Sequence, residues 1–250
     1  MSLVSVEDRE GVAVLTLDRP PANAFSPELV EDMAAAISAS EGVRAAVVTS
    51  ASTRIFSGGW DLPRVVSFSR NEMRFFVDAY LDLVRRIFVL PFPVVAALPG
   101  HAIAGGLIVA AAADERYIAE GEARVGLSEV ALGVPLPACC VELFRYVLGA
   151  RPMERLTASA ENMPVESALA IGLVDRSFAP ADLFSAALTR AAVLARGSPP
   201  AYAETKRRAR AEALARFDAA REDDPFLDFW FSENARGRIA ALVERLSKKS

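Results

Sequence analysis

The chain has 250 residues, 52% of them hydrophobic, and a formal net charge of −4. That length and apolar content are enough to bury a sizeable core, in one large domain or a domain with an appendage. The acidic balance excludes a general affinity for nucleic acid.

The opening, "MSLVSVEDREG", has no basic segment followed by an apolar run, so no leader peptide is expected. "LVSVED" and "VAVLTLD", parted by "REG", predict a hairpin. "RPPAN" is a loop. Ser26 caps a predicted helix over 27–39, with Pro27 at its first position and Glu28 in its first turn. "RAAVVTSA" is a buried strand, "STRIFSGGWD" a glycine-containing loop, and 70–89 a long amphipathic helix. Residues 87–113 contain no Asp, Glu, Lys or Arg and pass a crude length test for a membrane span. Pro91, Pro93, Pro99 and Gly100 would break a single helix there. A buried strand, "PVVAAL", then a turn and a buried helix, "GGLIVAAAA", is the better reading, with no membrane span.

"ERYIAEGEARVGLSE" gives two short extended pieces around Gly121. Helices follow at about 138–148, 151–159 and 164–170, then a strand and a turn in "GLVDRSFAP". From Asp182 onward the pattern is helical, with breaks at "GSPP" and near Pro225. The basic run "KRRARAEALAR", 206–216, is interrupted by acidic and apolar residues and reads as a solvated helix face. Alternating strands and helices predict an α/β core over 1–195, followed by a helical region over 196–250.

Two stretches share a design of strand, small residues and then helix: "IFSGGWDL" (55–62) and "AIAGGLIV" (102–109). Small residues let a ligand approach the backbone closely. Two such loops from neighbouring strands could aim two N–H groups at one oxygen. Each donor in an oxyanion hole can be worth roughly 2.7–4 kcal/mol of transition-state stabilisation. A plain turn has the same look, so the pattern alone does not decide.

The chain resembles the crotonase, or enoyl-CoA hydratase/isomerase, superfamily nearly end to end. The resemblance rests on "LDRPPANAF", "FSGGWDL", "PVVAALPGHAIAGG", Asp114 after that Gly pair, "VGLSEVALGV" and "ALAIGLVDR" in this order. It implies a spiral of ββα units with a helical C-terminal trimerisation region, hence a homotrimer or dimer of trimers. It also implies acyl-CoA thioester substrates and no metal, nicotinamide or flavin cofactor. The implied oxyanion donors are the N–H groups of Ser57 and Gly105, the first subject to a slip of one residue. The implied acyl-CoA contacts are Phe56, Gly58, Gly59, Trp60, Asp61, Ile108, Pro135 and Arg245, the last reaching the CoA phosphates of a neighbouring subunit.

Hydratases of this family look like "GGCE" at the second loop, and here the glutamate position is Ile108. Their second glutamate lies in a "QPE"-like segment, matched here by "GLSE" and Glu129. Hydration divides its proton work between two carboxylates. A lone carboxylate suits transfer of a proton from one carbon of an enolate to another. The family's isomerases look like that, and both "VGLSEVALGV" and the ending "FSENARGRIAALVERLSKK" are closer to their form. The expected reaction is therefore conversion of 3-enoyl-CoA to 2-enoyl-CoA with Glu129 as the base. Apolar walls that include Ile108 would raise its pKa. The alternatives are another crotonase reaction (hydrolysis, decarboxylation, ring processing or weak hydration) and an inactive acyl-CoA binder.

Other residues carry competing readings. A Ser57–His101–Asp114 hydrolase lacks a G-x-S-x-G elbow, so His101 is read as structural. Cys139 and Cys140, the only cysteines, give neither a disulfide framework nor metal spacing, and suggest a reducing, cytoplasmic compartment. They begin a helix, which can lower a thiol pKa, but buried packing is the plainer reading. Asp61 is a loop and CoA-contact residue more than a base. Trp60, bulkier than the usual residue there, narrows the pocket, stacks on adenine or packs at the surface. Phe229, Trp230 and Phe231 read as subunit packing.

Overall fold

The structure, a computed structural model, describes residues 2–222 and 224–248. Met1 of the opening segment and Lys249 of the C-terminal resemblance lie outside the described residues. The chain begins with β1 (Val4–Arg9) and β2 (Val12–Leu17), joined by Glu10 and Gly11, both at positive φ as a tight hairpin turn requires. Then come α1 (Pro27–Ala39), β3 (Ala45–Ser50), β4 (Ile55–Ser57), α2 (Leu62–Val65) and α3 (Arg70–Val89). Ser26 caps α1 by accepting from Leu29 N–H, and Ser69 with Glu72 forms a capping box on α3.

The middle of the chain contains β5 (Val94–Leu98), β6 (His101–Ile103), α4 (Gly105–Ala111), β7 (Glu115–Ala119), β8 (Arg124–Gly126) and a 3-10 turn, Val130–Leu132. The rest is α5 (Ala138–Leu148), α6 (Ala150–Ser159), β9 (Asn162–Pro164), α7 (Val165–Ala170), β10 (Arg176–Phe178), α8 (Leu183–Leu194), α9 (Pro199–Ala219), α10 (Phe226–Trp230) and α11 (Glu233–Ser247). No helix among the described residues is long and apolar enough to cross a membrane. The uncharged stretch 87–113 is divided among the end of α3, two strands and α4.

One sheet has the order β1-β2-β3-β5-β7-β10 and is parallel beyond its first hairpin; the other is β4-β6-β8-β9. Three times a strand of the large sheet is followed by a short strand of the small one and then a helix: β3-β4-α2, β5-β6-α4 and β7-β8 with the 3-10 turn. These are the expected ββα units. The large sheet is covered on both faces, which is why its strands read as continuous apolar runs. Val48, Val94 and Ala96 face the main core, while Val47, Val95 and Ala97 face Leu183, Ala187 and Ala191 of α8.

The tail differs from expectation in two ways. Phe217, Phe226, Trp230 and Ile239 belong to the same core cluster as the sheet, so 196–250 shares its hydrophobic core with 1–195. The basic run is also not wholly solvated. Lys206 and Arg210, one turn apart on α9, are buried and both bind Asp114. The i, i+4 spacing turns these two cations inward, while Arg207 and Arg208 stay outside.

Candidate active site

Strands β4 and β6 run parallel, so the loops that follow them leave the small sheet at the same edge. In the first loop Gly58 N–H donates to Ala22 O (2.9 Å) and Gly59 N–H donates to Ser57 Oγ (3.2 Å). Asp61 N–H donates to Phe25 O (2.9 Å). Among the described residues, Trp60 N–H donates to no protein acceptor. In the second loop Ala104 N–H donates to Gly126 O, and Gly105 opens α4 with its N–H equally unengaged.

Glycine geometry brings these two amides together. A Cβ placed on Gly59 would stand 3.3 Å from Gly105 N. Standard backbone dimensions then hold Trp60 N and Gly105 N within roughly 7 Å, so the two unengaged amides stand at close range on neighbouring loops. Gly59 is at φ +93° against Ala104 Cβ and Ile103 O, so a side chain there is both strained and crowded. A Cβ on Gly106 would lie 2.5 Å from Ser57 O and 2.7 Å from Ser57 Cβ. Gly106→Ala is therefore expected to push the two loops apart and lower the melting temperature, at a cost of about 1–3 kcal/mol. A thermal melt and an acyl-CoA binding isotherm check this. Ala104 sits at φ 49°, ψ −122°, an unfavourable conformation for a residue with a Cβ. Ala104→Gly is expected to stabilise the protein by about 1 kcal/mol. An unchanged or lower denaturation midpoint would contradict this.

The acid arrives from the third unit. Strand β8 pairs with β6 through Ile103 and Gly126, and the chain then turns at Glu129. The Glu129 carbonyl accepts from Leu132 and Val134 N–H, which fixes this residue at the head of the 3-10 turn. The residue as a whole is half-buried, but its Oε2 is fully buried without a hydrogen-bond partner. Burial pushes its pKa up to about 7, against the opposing pull of nearby backbone N–H groups at Ser128 and Glu129. Tyr80 joins acid and loop. Its hydroxyl donates to Gly105 O (2.5 Å), and Glu129 lies near enough to help raise the phenol pKa, an effect led by burial.

In the first loop the unengaged amide is therefore not that of the expected residue. Ser57 is paired with Ala102 in the β4–β6 ladder, wholly buried, and gives its hydroxyl proton to Asn23 O. The unengaged amide lies three residues on, at Trp60. Phe56 is fully buried in the main core and supports the loop from behind. Asp61 caps α2 through Arg64 N–H and pairs with Arg19, a structural role. Trp60 does not pack at the surface: its ring meets Phe76, Tyr80, Phe226 and Trp230 edge-on. Trp230 is likewise core, whereas Phe229 is exposed.

Ser57, His101 and Asp114 do not form a triad. His101 Nδ1 accepts from Arg124 N–H, while Asp114 binds Lys206, Arg210 and Val94 N–H. Both cysteines are fully buried, and the Cys140 pKa is raised, foremost by its contact with Cys139 and by burial. Ile108 is buried one turn into α4, Gly58 and Pro135 are half-buried, and Arg245 is exposed on α11. Two residues of the site escaped the sequence reading. Tyr80 gives no signal beyond its place on the apolar stripe of α3. Asn23 bonds Arg19 N–H, Ser50 Oγ and Phe56 O, stitching its loop to β4. Its only sign was its place in "RPPAN".

Two unengaged amides on neighbouring loops, with a carboxyl of pKa near 7 on the next unit, have the chemistry needed to stabilise an oxyanion while moving a proton. Comparison with known proteins gives the family. Residues 7–245 match the enoyl-CoA hydratase/isomerase family, and the chain belongs to it. It is 32% identical to a probable enoyl-CoA hydratase of Bacillus subtilis, over 98% of this chain and 97% of that protein. The human mitochondrial delta3-delta2-enoyl-CoA isomerase superposes with a TM-score of 0.94, at 26% identity and 99% coverage of both chains. A Mycobacterium tuberculosis protein, described in one structure as an enoyl-CoA isomerase and in another as a probable enoyl-CoA hydratase, superposes at 0.83 with 30% identity, the first structure covering 88% of this chain and 96% of that one. The fold is the crotonase fold.

Proposed function

We propose that the protein shifts the double bond of 3-enoyl-CoA to give the conjugated 2-enoyl-CoA. The thioester oxygen lies between Trp60 N–H and Gly105 N–H. The Glu129 carboxylate takes a proton from C2, and the two amides hold the resulting dienolate oxyanion. Glu129, now protonated, delivers the proton to C4. One carboxyl serves both transfers, and its pKa of about 7 suits it to accept and to release a proton near neutral pH. The observation that carries this reading is the single buried, unpartnered carboxyl oxygen of Glu129, with Ile108 where a hydratase of the family has its other glutamate. The CoA thioester is the substrate, and the scheme needs no further cofactor.

Hydration of 2-enoyl-CoA is the second reading, favoured by relatives named as hydratases in Bacillus subtilis and Clostridium acetobutylicum. Ile108 argues against it, because an isoleucine offers no hydrogen bond to hold the attacking water. Loss of one partner of a general acid–base pair removes on the order of 10²–10⁴ in rate. The deciding experiment supplies 3-enoyl-CoA and 2-enoyl-CoA separately and analyses the products. Conjugated product from the first, with negligible 3-hydroxyacyl-CoA from the second, is expected. Robust hydration by the unmodified protein would defeat the isomerase reading. Ile108→Glu is expected to raise hydration from a low base, with a gain limited by the cost of setting a carboxylate into an apolar wall.

The same reading makes the protein a cytoplasmic homotrimer or dimer of trimers. Exposed Phe75 and Phe229 supply apolar surface for subunit contacts, and Arg245, exposed on α11, would reach the CoA phosphates of a neighbouring subunit. A monomeric mass by light scattering would count against this assembly.

A further inference from the structure

The Trp60 indole nitrogen is fully buried and has no hydrogen-bond partner. Its ring packs edge-on within an aromatic cluster. Phe76, Tyr80, Phe226 and Trp230 surround it at centroid distances of 5.2, 5.4, 5.6 and 6.1 Å. Leaving a buried donor unpaired is costly; Trp230 Nε1 in the same cluster is also buried without a partner, and what sets Trp60 apart is that its Nε1 is among the atoms nearest Gly105. The position of the donor names the acceptor. Nε1 stands 3.1 Å from where a Cβ on Gly105 would be. Backbone dimensions then put it within roughly 5.5 Å of Gly105 N, inside the spread over which two donors can hold one oxygen. Tyr80 Oη lies on the same side of Gly105, but its proton goes to Gly105 O and it does not take the indole proton.

Building on the proposed oxyanion site, we infer that Trp60 gives the thioester oxygen a side-chain donor as well as a backbone one. Trp60 is then a catalytic residue that holds the enolate through both its N–H groups. A neutral indole N–H bonds a negative oxygen more strongly than a neutral carbonyl, so the third donor favours the dienolate over the bound substrate.

The chain has two tryptophans, so ¹⁵N labelling gives two indole N–H resonances, assigned with Trp230→Phe. Acetoacetyl-CoA is the probe, because a 3-oxoacyl thioester ionises to a stable enolate with near-ultraviolet absorbance. On its addition the Trp60 indole proton is expected to move downfield, and further than with butyryl-CoA. Trp60→Phe keeps an aromatic ring and removes the donor. It is expected to lower the bound enolate fraction, and to lower kcat for 3-enoyl-CoA by about 10- to 100-fold with little change in KM. An unmoved Trp60 resonance, or full enolate absorbance in Trp60→Phe, overturns the inference. If that variant misfolds, the resonance of the unmodified protein decides alone. A wild-type protein that forms the enolate but moves no double bond would refute the isomerase reading and leave the role of Trp60 standing. Failure to bind acetoacetyl-CoA would overturn both.

Discussion

Glu129→Gln is expected to abolish double-bond migration and, at alkaline pH, to raise the melting temperature. Both effects come from one oxygen. As the sole base, Glu129 must take the C2 proton and return it to C4, and an amide does neither. The loss is therefore expected to reach about 10⁴-fold in kcat, the upper end for general acid–base catalysis. Acyl-CoA binding should survive, because the amides at Trp60 and Gly105 are untouched. The stability gain follows from the raised pKa. The Glu129 carboxyl titrates near 7 in the folded chain and at the ordinary value of 4.5 in the unfolded one. Between those values the folded state holds the extra proton, so stability falls as pH rises through the window. Above pH 7 the buried carboxylate costs about 3 kcal/mol, which a neutral glutamine avoids. The melting curves of variant and wild type should coincide near pH 4 and separate by several degrees at pH 8. Wild-type kcat/KM should also fall as pH drops below 7, because the protonated acid cannot accept from C2. Wild-type turnover in Glu129→Gln would end the single-base mechanism.

What could be read before the structure was whatever local chemistry settles. Ser26, Pro27 and Glu28 mark the start of α1 because a cap, a fixed φ and an acid in the first turn act within a few residues. The glycine loops were equally legible, since close backbone contact leaves no alternative residue. What stayed hidden depends on partners distant in the chain. Strands β4, β6 and β9 are three residues long, too short to show a period of two. The family resemblance implies a first oxyanion donor at Ser57, because the sequence does not say which amides the loop uses internally. Ala22 O and Ser57 Oγ take those of Gly58 and Gly59, and Trp60 is left over. Tyr80 looked like one more core residue of α3, and only the packing of α3 against Gly105 gives its hydroxyl a task. Lys206 and Arg210 looked like surface charge because their anion, Asp114, is in another part of the chain.

That last pair carries the largest expected effect on stability. Asp114 accepts from Lys206 Nζ at 2.7 Å, from Arg210 Nη2 at 2.8 Å and from Val94 N–H at 2.7 Å. Asp114→Ala leaves two buried cations and a backbone donor without their anion. Breaking a buried ion pair from one side costs about 3–5 kcal/mol, roughly 10 °C in Tm for a chain of this size. The pH dependence gives the test its sign. Burial lowers the Lys206 pKa to about 8 even with Asp114 beside it. The folded state thus binds fewer protons than the unfolded chain between about 8 and 10.5, and wild-type stability from this group rises with pH across that window. Without Asp114 the lysine pKa drops further, so its share of the deficit is largest below that lowered pKa and shrinks as the base deprotonates. The deficit from Arg210, the second buried cation, stays. Adding Lys206→Met to Asp114→Ala should recover part of the loss at pH 7 and little at pH 10. Equal melting temperatures for wild type and Asp114→Ala at pH 7 would show that the network contributes nothing. Turnover per folded molecule is expected to hold at low temperature. Arg210 and Arg116 bond the carbonyls of Ala112 and Ala113 just past the end of α4, whereas the Gly105 amide is at its start. A fall in kcat below the melting transition would mean that these buried charges also set the position of Gly105.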